Sequence, residues 1–424
     1  MSIIASLAQQ TVLPDMVRVR QRFPAEELSP KQIPAVIRRE FFRAELGSKI
    51  HPGSTVAFTV GSRGIANIPA ILRALADCIR ECGAKPVAVA AMGSHGGAVE
   101  SGQRHLLDSL GITESALGCP VICDPETVKI GLTPKGKDVF ITRAAARADS
   151  IVMINRIKPH TSFRGKYESG LMKMMAIGLA QQRGAESCHS GGFGEMAENV
   201  ESFGKTVLKC APVIGGFGIV ENALDRTAEI RAFSPCEIVE LEPVYLEKAK
   251  ALMPRIYFDP LDVLVVDKVG KNISGDGMDP NISGTFGTPY ANGGASAQRV
   301  AVLDLTDETH GSAVGIGTAH TITRRLFNKF DPEQTYPNLI TTKVLEQGRL
   351  PMMFDSDREA IQIALRCCIG YDAENPRIVR IANTRDIQEI WISSALLPEA
   401  RENPMVDILS SPQPFPFDEK GNLW

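Results

Sequence analysis

Features that would place a protein in a membrane, on nucleic acid or outside the cell are missing from this sequence. No apolar run among its 424 residues approaches the roughly 18 to 20 residues that span a bilayer. The formal net charge of −3 gives no reason to expect nucleic acid or an anionic membrane as a partner. Nine cysteines, an odd number, predict reduced thiols rather than a disulfide framework. The first residues lack a basic region ahead of the apolar ones, so we expect no signal peptide and a cytoplasmic protein.

The motifs of several common metal and cofactor sites are also missing. GSRGIAN and GSHGGA do not have the GxGxxG spacing of a dinucleotide-binding loop. The CxxxC pairs Cys78/Cys82 and Cys119/Cys123 have no partner pair at zinc-site spacing. GDGMDP (275–280) lacks the terminal glutamate of an EF-hand loop. A standard NAD site, a structural zinc and an EF-hand are therefore not expected.

Short apolar runs alternate with segments of helical periodicity from residue 55 onward. TVAFTV (55–60), PVAVAAM (86–92) and SIVMIN (150–155) predict strands that are buried on both faces, as in a parallel sheet. IPAILRALADCIRECG (68–83) between the first two predicts a helix. This alternation is typical of a doubly wound α/β domain.

A domain boundary is predicted near residues 253–262, where a helix closed by Pro254 is followed by the strand sequence PLDVLVVDKVG. We therefore predict two α/β domains with the active site in the cleft between them. The N-terminal domain (1–255) has a doubly wound, mostly parallel sheet that holds catalytic and cofactor-binding residues, and a smaller C-terminal α/β domain (256–424) closes the cleft. The Gly-rich loop 271–287 can cover such a cleft. Its first residue, Lys271, is the candidate contact for a substrate carboxylate.

Three loops place a cationic or titratable side chain directly after a predicted strand. These are Arg63 in GSRG, His95 in GSHGG and His160 in KPH. Ligands bind at the carboxyl ends of strands in such sheets, so we expect the three side chains at one edge. Imidazole gains or loses a proton near neutral pH, which suits His95 and His160 to acid–base catalysis. A structural role is the alternative for any single histidine.

Lys173 begins a mostly apolar helical segment, ESGLMKMMAIGLA, and His189 follows sixteen residues later in AESCHSGG. Local composition favours a lysine whose stem packs while its ammonium group reaches water. The other interpretation is a partly desolvated amine that is open to covalent chemistry. His189, flanked by Cys188 and Ser190, is a poor zinc signature but can be a metal ligand.

Taken together, the order and spacing of these residues resemble those of the lactate racemase family, whose members carry a nickel-pincer nucleotide. The resemblance rests on Arg63, His95, Lys158-Pro159-His160, Lys173 and His189. It implies that Lys173 bears the cofactor through a thioamide and that His189 completes the nickel coordination. It also implies acid–base roles for His95 and His160. Arg63 and Lys158 are then contacts for the cofactor, and Arg63 also lies with the catalytic residues.

The function implied by this resemblance is racemisation or epimerisation of a small 2-hydroxy acid, with the cofactor supplied by dedicated biosynthetic enzymes. The hydrogen at C2 is barely acidic, and its removal as hydride needs an electron sink that no side chain supplies. Nickel(II) favours square-planar ligation, in which one histidine can complete the plane. The cations of RIKPHTSFRGK (156–166) are expected to face an anionic nucleotide and acid.

Two alternatives stay open. One is a relative without nickel that binds a nucleotide or an acidic metabolite, and the other is a hydrolase with histidine-bound zinc. Nucleic acid and membranes are not expected as partners, and homo-oligomerisation is left open.

Overall fold

The computed structural model describes residues 2–424, which divide into two compact units. One unit is Pro24–Met253, and the other combines the residues up to Phe23 with Pro254–Trp424. Each unit is built from strands and helices, which confirms the predicted α/β fold class. None of the helices within residues 2–424 is both long enough and apolar enough to cross a membrane.

The strands, numbered in chain order, are β1 Met16–Gln21, β2 Thr55–Val60, β3 Lys85–Ala90, β4 Val121–Ile122, β5 Thr127–Leu132, β6 Asp138–Thr142, β7 Ser150–Arg156, β8 Val213–Glu221, β9 Thr227–Phe233, β10 Leu261–Val269, β11 Ala297–Leu305, β12 Thr321–Thr323, β13 Met352–Phe354, β14 Ile378–Ile381, β15 Glu389–Ser393 and β16 Val406–Ile408. The helices are α1 Ile3–Gln9, α2 Ile33–Arg43, α3 Ile68–Glu81, α4 Glu100–Ser109, α5 Glu114–Leu117, α6 Arg143–Ala146, α7 Leu171–Lys173, α8 Gln181–His189, α9 Met196–Cys210, α10 Pro235–Leu252, α11 Pro280–Ser283, α12 Arg324–Lys329, α13 Pro332–Thr342, α14 Asp357–Arg366 and α15 Leu397–Glu402. A π-helical turn, Met174–Gly178, directly follows α7.

Six strands of the unit Pro24–Met253 form one sheet in the order β4-β3-β2-β7-β8-β9. The first five are parallel, and β9 joins antiparallel to β8. The chain builds outward from β2 through β3 and β4, and then starts again at β7 on the other side of β2. The gap between the carboxyl ends of β2 and β7 is therefore a topological switch point, where α/β sheets form their ligand crevice.

Helix α3 shows how the sequence covers this sheet. Its buried positions Ile68, Ile71, Leu72, Leu75 and Ile79 recur at intervals of three and four residues. This spacing puts them on one face of the helix. That face belongs to the same buried hydrophobic cluster as side chains of β2 and β3. The predicted helix at 68–83 is confirmed as α3, Ile68–Glu81.

Eight strands of the other unit form a sheet in the order β13-β12-β11-β10-β14-β15-β1-β16. The part of the sheet from β13 to β14 in this order is parallel. The remaining pairs, β14/β15, β15/β1 and β1/β16, are antiparallel. The segment up to Phe23 was predicted to belong to the N-terminal domain (1–255), and this assignment is corrected. β1 lies between β15 and β16, with Val19 opposite both Ile390 and Ile408. Its backbone hydrogen bonds are therefore made with the C-terminal part of the chain.

Candidate functional site

The three predicted loops lie on one edge of the six-stranded sheet. Arg63, His95 and His160 follow the carboxyl ends of β2, β3 and β7, which are parallel neighbours. Arg63 and His95 are exposed, and His160 is half-buried. The arrangement puts a cation and two imidazoles beside the switch point, as the strand pattern predicted.

His95 is tied to the neighbouring loop by a serine that the sequence interpretation missed. Ser62 Oγ lies 2.5 Å from Nδ1 of His95, a hydrogen bond in which either group can be the donor. When Nδ1–H donates to Ser62, the lone pair of His95 is on Nε2. The available signal was the position of Ser62 next to Arg63 in the loop after a buried strand.

The hydrogen bonds of His160 define the position of its ring proton. The backbone N–H of Ser162 donates to Nδ1 at 3.0 Å, so in the neutral ring the proton is on Nε2. The backbone N–H of His160 donates to Glu168 Oε2 at 2.8 Å. The ring of Phe163 packs against the imidazole with the centroids 4.6 Å apart. His160 is thus held from both sides in one orientation.

The charges around His160 show which other predicted residues lie near it. Burial lowers the pKa of His160 well below its ordinary value, and positive charge on Lys173, His189, Lys158 and Arg164 lowers it further. These groups act on His160 because they lie within electrostatic range. The fold therefore brings Lys173 and His189 to the histidine after β7, although they lie on other elements. His160 is neutral at pH 7.

Two cations of the segment 156–166 are already matched by carboxylates. Arg156 forms an ion pair with Glu221, whose other oxygen accepts from a backbone N–H at 2.6 Å. Arg164 Nη1 lies 3.3 Å from Oε2 of Glu168, a side chain with no exposed surface. Oε1 of the same carboxylate lies 3.1 Å from Lys250 Nζ. The expectation that all these cations face an anionic ligand is therefore corrected for Arg156 and Arg164.

Lys173 ends a very short helix whose start is held by a buried acid. Glu242 of α10 is 1% exposed, and its Oε2 accepts from the backbone N–H of Met172 at 3.0 Å. Burial raises the pKa of Glu242 to about 8, although backbone hydrogen bonds from Met172 and Leu171 act to lower it. Asn155 Nδ2 donates to the carbonyl of Gly170 at 2.9 Å. The helix of Lys173 is thus fixed to both β7 and α10.

The segment after Lys173 departs from α-helical geometry. Met174–Gly178 forms a π-helical turn, a feature that is frequent at functional sites.

Burial raises the pKa of the Cys188 thiol to about 12, although the nearby charges of Lys173 and Lys137 oppose this. The thiol is therefore protonated at pH 7 and is not a nucleophile in that state.

His189 is the last residue of α8 and contacts an aromatic ring from the following loop. The ring centroids of His189 and Phe193 lie 5.7 Å apart with the planes at 83°. Phe193 also lies 6.0 Å from the ring of His160 and 6.4 Å from Phe163. Phe193 was missed in the sequence, where its position in SGGFG was the available signal.

The other unit holds the predicted substrate residue Lys271, just beyond the carboxyl end of β10. Its backbone N–H donates to Thr309 Oγ1 at 2.9 Å. A role for its side chain stays a prediction. Within residues 2–424, no group of three or more His, Cys, Asp or Glu side chains is arranged to hold a metal ion.

Comparisons with known proteins give a family match and two distant structural likenesses. Residues 59–258 match the family model described as a domain of unknown function, DUF362. None of the curated proteins matches the sequence. The lactate racemase apoprotein from Thermoanaerobacterium thermosaccharolyticum is similar with 12% sequence identity and a TM-score of 0.49, over 82% of this chain and 91% of that one. A structural-genomics target protein from Thermotoga maritima is similar with 12% identity and a TM-score of 0.49, over 82% of this chain and 86% of that one.

Proposed function

We propose that this protein is a 2-hydroxy acid racemase or epimerase that carries a nickel-pincer nucleotide on Lys173. The observation that supports this most directly is the convergence of Lys173, His189 and His160 in one electrostatic neighbourhood. These residues belong to different elements, so their proximity is a product of the fold. Arg63 and His95 follow neighbouring strands of the same sheet edge.

The donor set fits the chemistry of such a group. The amine of Lys173 would carry the group through a covalent link, and the imidazole of His189 would be a ligand to its nickel. Arg63 and Lys158 are the cations proposed to hold its phosphate. When bound, the group supplies a reversible acceptor for hydride, which no side chain can provide.

Nδ1 of His160 accepts from a backbone N–H, whereas Nδ1 of His95 faces a hydroxyl group that can donate or accept, which suggests different tasks. His160 is neutral and keeps its proton on Nε2, so it can donate to the C2 oxygen of the substrate. His95, with Nδ1 bonded to Ser62, can take the hydroxyl proton on Nε2 and return it. His95 is thus proposed as the principal base, and His160 as the hydrogen-bond or proton donor.

The test is intact mass and nickel analysis of protein made with the cofactor-producing enzymes. The wild-type chain should gain the mass of the nucleotide on Lys173 and contain nickel. Lys173→Arg keeps the charge but has no primary amine, so it should lose both. Lys205→Arg is the matched control, because Lys205 is an exposed lysine of α9 that forms an ion pair with Glu201. It should retain both the added mass and the nickel.

Contrary outcomes separate the alternatives. A reference racemase made in the same host shows whether the cofactor is available there. If it is loaded while the wild-type chain stays unmodified and binds a nucleotide tightly, the result favours a relative without nickel. Bound zinc with turnover retained in Lys173→Ala would favour a hydrolase.

An isotope experiment tests the hydride route. Substrate deuterated at C2 should keep much of its label through racemisation. Complete washout of the label into water would indicate proton abstraction from carbon and refute the hydride route.

A further inference from the structure

We infer that two buried glutamines, Gln103 and Gln181, form a positioning pair that fixes the loop of His95 against the helix that ends at His189. The catalytic meaning of this pair rests on the proposed function. The mechanical link itself is a property of the polypeptide and can be measured without any cofactor.

The link is a chain of hydrogen bonds through one side-chain amide. Gln181 Nε2 donates to the carbonyl of Ala90 at 2.7 Å, and its Oε1 accepts from Gln103 Nε2 at 2.8 Å. Ala90 ends β3, which leads to His95, and Gln103 lies in α4, the helix after His95. Gln181 begins α8, and His189 ends it. One amide therefore joins the strand before His95, the helix after it and the helix of His189.

Close backbone contacts make the His95 loop follow these elements. A Cβ on Gly102 of α4 would lie 2.0 Å from the carbonyl oxygen of Gly96, so the first turn of α4 rests directly on the loop. On the other side, the backbone N–H of Gly93 donates to the carbonyl of Gly178 at 3.1 Å. Gly178 closes the π-helical turn that follows Lys173. A shift of α8 or α4 would therefore displace the loop that carries His95.

Each part of the pair is unfavourable for the fold by itself. Gln103 and Gln181 are 0% and 1% exposed, and Oε1 of Gln103 has no hydrogen-bond partner within the described part of the chain. Gln181 has φ of 52°, a left-handed conformation that residues with a Cβ rarely adopt. Buried unsatisfied amides and such backbone conformations both destabilise a fold. Unfavourable local choices of this kind concentrate where a site needs a particular geometry.

The decisive test uses the unmodified polypeptide and amide hydrogen exchange. Gln103→Leu and Gln181→Leu should each lower the midpoint of thermal unfolding, because each leaves a buried partner of the removed amide without its hydrogen bond. Exchange in peptides that span 88–99 should become at least about tenfold faster, because the loop loses its link to α8. Gln181→Asn provides a second variant, since asparagine tolerates the left-handed conformation but is too short to keep both bonds.

A matched control lies in the other unit. Gln21 is 0% exposed, donates to the carbonyl of Ile387 at 2.7 Å and accepts from the backbone N–H of Tyr257 at 2.8 Å. Gln21→Leu removes a buried amide with both ends bonded, and it should leave exchange in 88–99 as in the wild type. Unchanged exchange in 88–99 for all three variants of the pair would overturn the inference.

A second readout concerns the loaded enzyme. Misplacement of a catalytic group by about 1 Å can cost about 100-fold in rate. The variants of the pair should therefore lower kcat by about 10- to 100-fold, with KM and nickel content unchanged. If the wild type carries no nickel and does not racemise, the proposed function fails while the exchange result still decides the link. If the wild type racemises and exchange in the variants is unchanged, the positioning pair alone fails.

Discussion

The ring of Phe193 stands edge-on to the imidazole of His189, with the planes at 83° and the centroids 5.7 Å apart. Edge-to-face contact is a preferred geometry for aromatic rings. The same phenyl ring lies 6.0 Å from the imidazole of His160, so it is a neighbour of both the proposed nickel ligand and the proposed donor. It restricts the rotation of both imidazoles without contributing a polar atom.

Replacing Phe193 by leucine should therefore affect metal binding more than folding. We expect Phe193→Leu to lower the free energy of unfolding by about 1 kcal/mol and to reduce the nickel retained per chain several-fold, measured by metal analysis after dialysis. Phe203→Leu is the control, because Phe203 is fully buried in α9 and should lose stability but keep nickel. Equal nickel retention in the two variants would show that Phe193 has no orienting role.

The hydrogen bonds of the two histidines predict unequal effects of glutamine substitutions. Glutamine keeps an N–H donor but cannot act as a base at neutral pH. His95→Gln should slow racemisation in both directions by about 10² to 10⁴-fold. His160→Gln should slow racemisation by about tenfold or less, because the glutamine amide still donates a hydrogen bond. This decrease in rate lies below the range typical of a lost proton-transfer group. Initial rates with each enantiomer test this, and equal losses would contradict the assignment of the proton to Nε2 of His160.

The buried acid that accepts from the backbone N–H of Met172 predicts a pH dependence of stability. The pKa of Glu242 is raised to about 8, so the unfolded chain loses this proton first as pH rises. Its contribution to stability is complete below its ordinary pKa and disappears as pH rises through about 8. Between pH 6 and 8 the loss approaches about 1.4 kcal/mol per pH unit for this one group.

Glu242→Gln should remove that slope, because an amide does not titrate and its oxygen can still accept from Met172. Urea unfolding at pH 6, 7 and 8 measures the difference. Tyr167, which also faces Glu242, does not interfere, because burial raises its pKa to about 12. A wild-type slope that persists unchanged in Glu242→Gln would assign it to other groups.

The loop that begins at Lys271 predicts an effect on substrate affinity. If Lys271 contacts the substrate carboxylate, Lys271→Ala should raise KM about tenfold or more and change kcat less, because it removes binding that is equal in ground and transition states. Steady-state kinetics test this. Lys268→Ala is the control, because Lys268 is close to Lys271 in sequence but its ammonium group lies over the ring of Trp424. Unchanged kinetics would make the loop a surface feature.

The sheet around the site could be predicted because its signals are local. β2 matches the predicted strand at 55–60, and β7 extends the one at 150–155 by a single residue. Apolar runs of this length identify strands that are buried on both faces. The placement of Arg63, His95 and His160 on one edge then follows from parallel pairing alone. No contact between distant residues was needed for that step.

The parts that escaped prediction depend on contacts between distant residues. β8 contains Gly215, Gly216 and Gly218, and glycine is depleted in strands. The fold needs glycine there because a Cβ on Gly216 would lie 2.7 Å from the carbonyl oxygen of Met153. The compensation of Arg156 by Glu221 likewise joins positions 65 residues apart. Composition shows the cations but not the carboxylates that the fold brings to them.

The position of β1 has a consequence for how the chain is made. β1 (Met16–Gln21) leaves the ribosome long before β15 and β16, between which it pairs. At typical rates of synthesis the strand waits roughly 20 to 75 seconds for these neighbours. During that interval the whole of Pro24–Met253 emerges and can fold as a continuous stretch, whereas the eight-stranded sheet cannot be completed until β15 and β16 have been made. Ribosome-stalled chains that end near residue 300 should therefore show the first unit protected from proteolysis and β1 still open to cleavage.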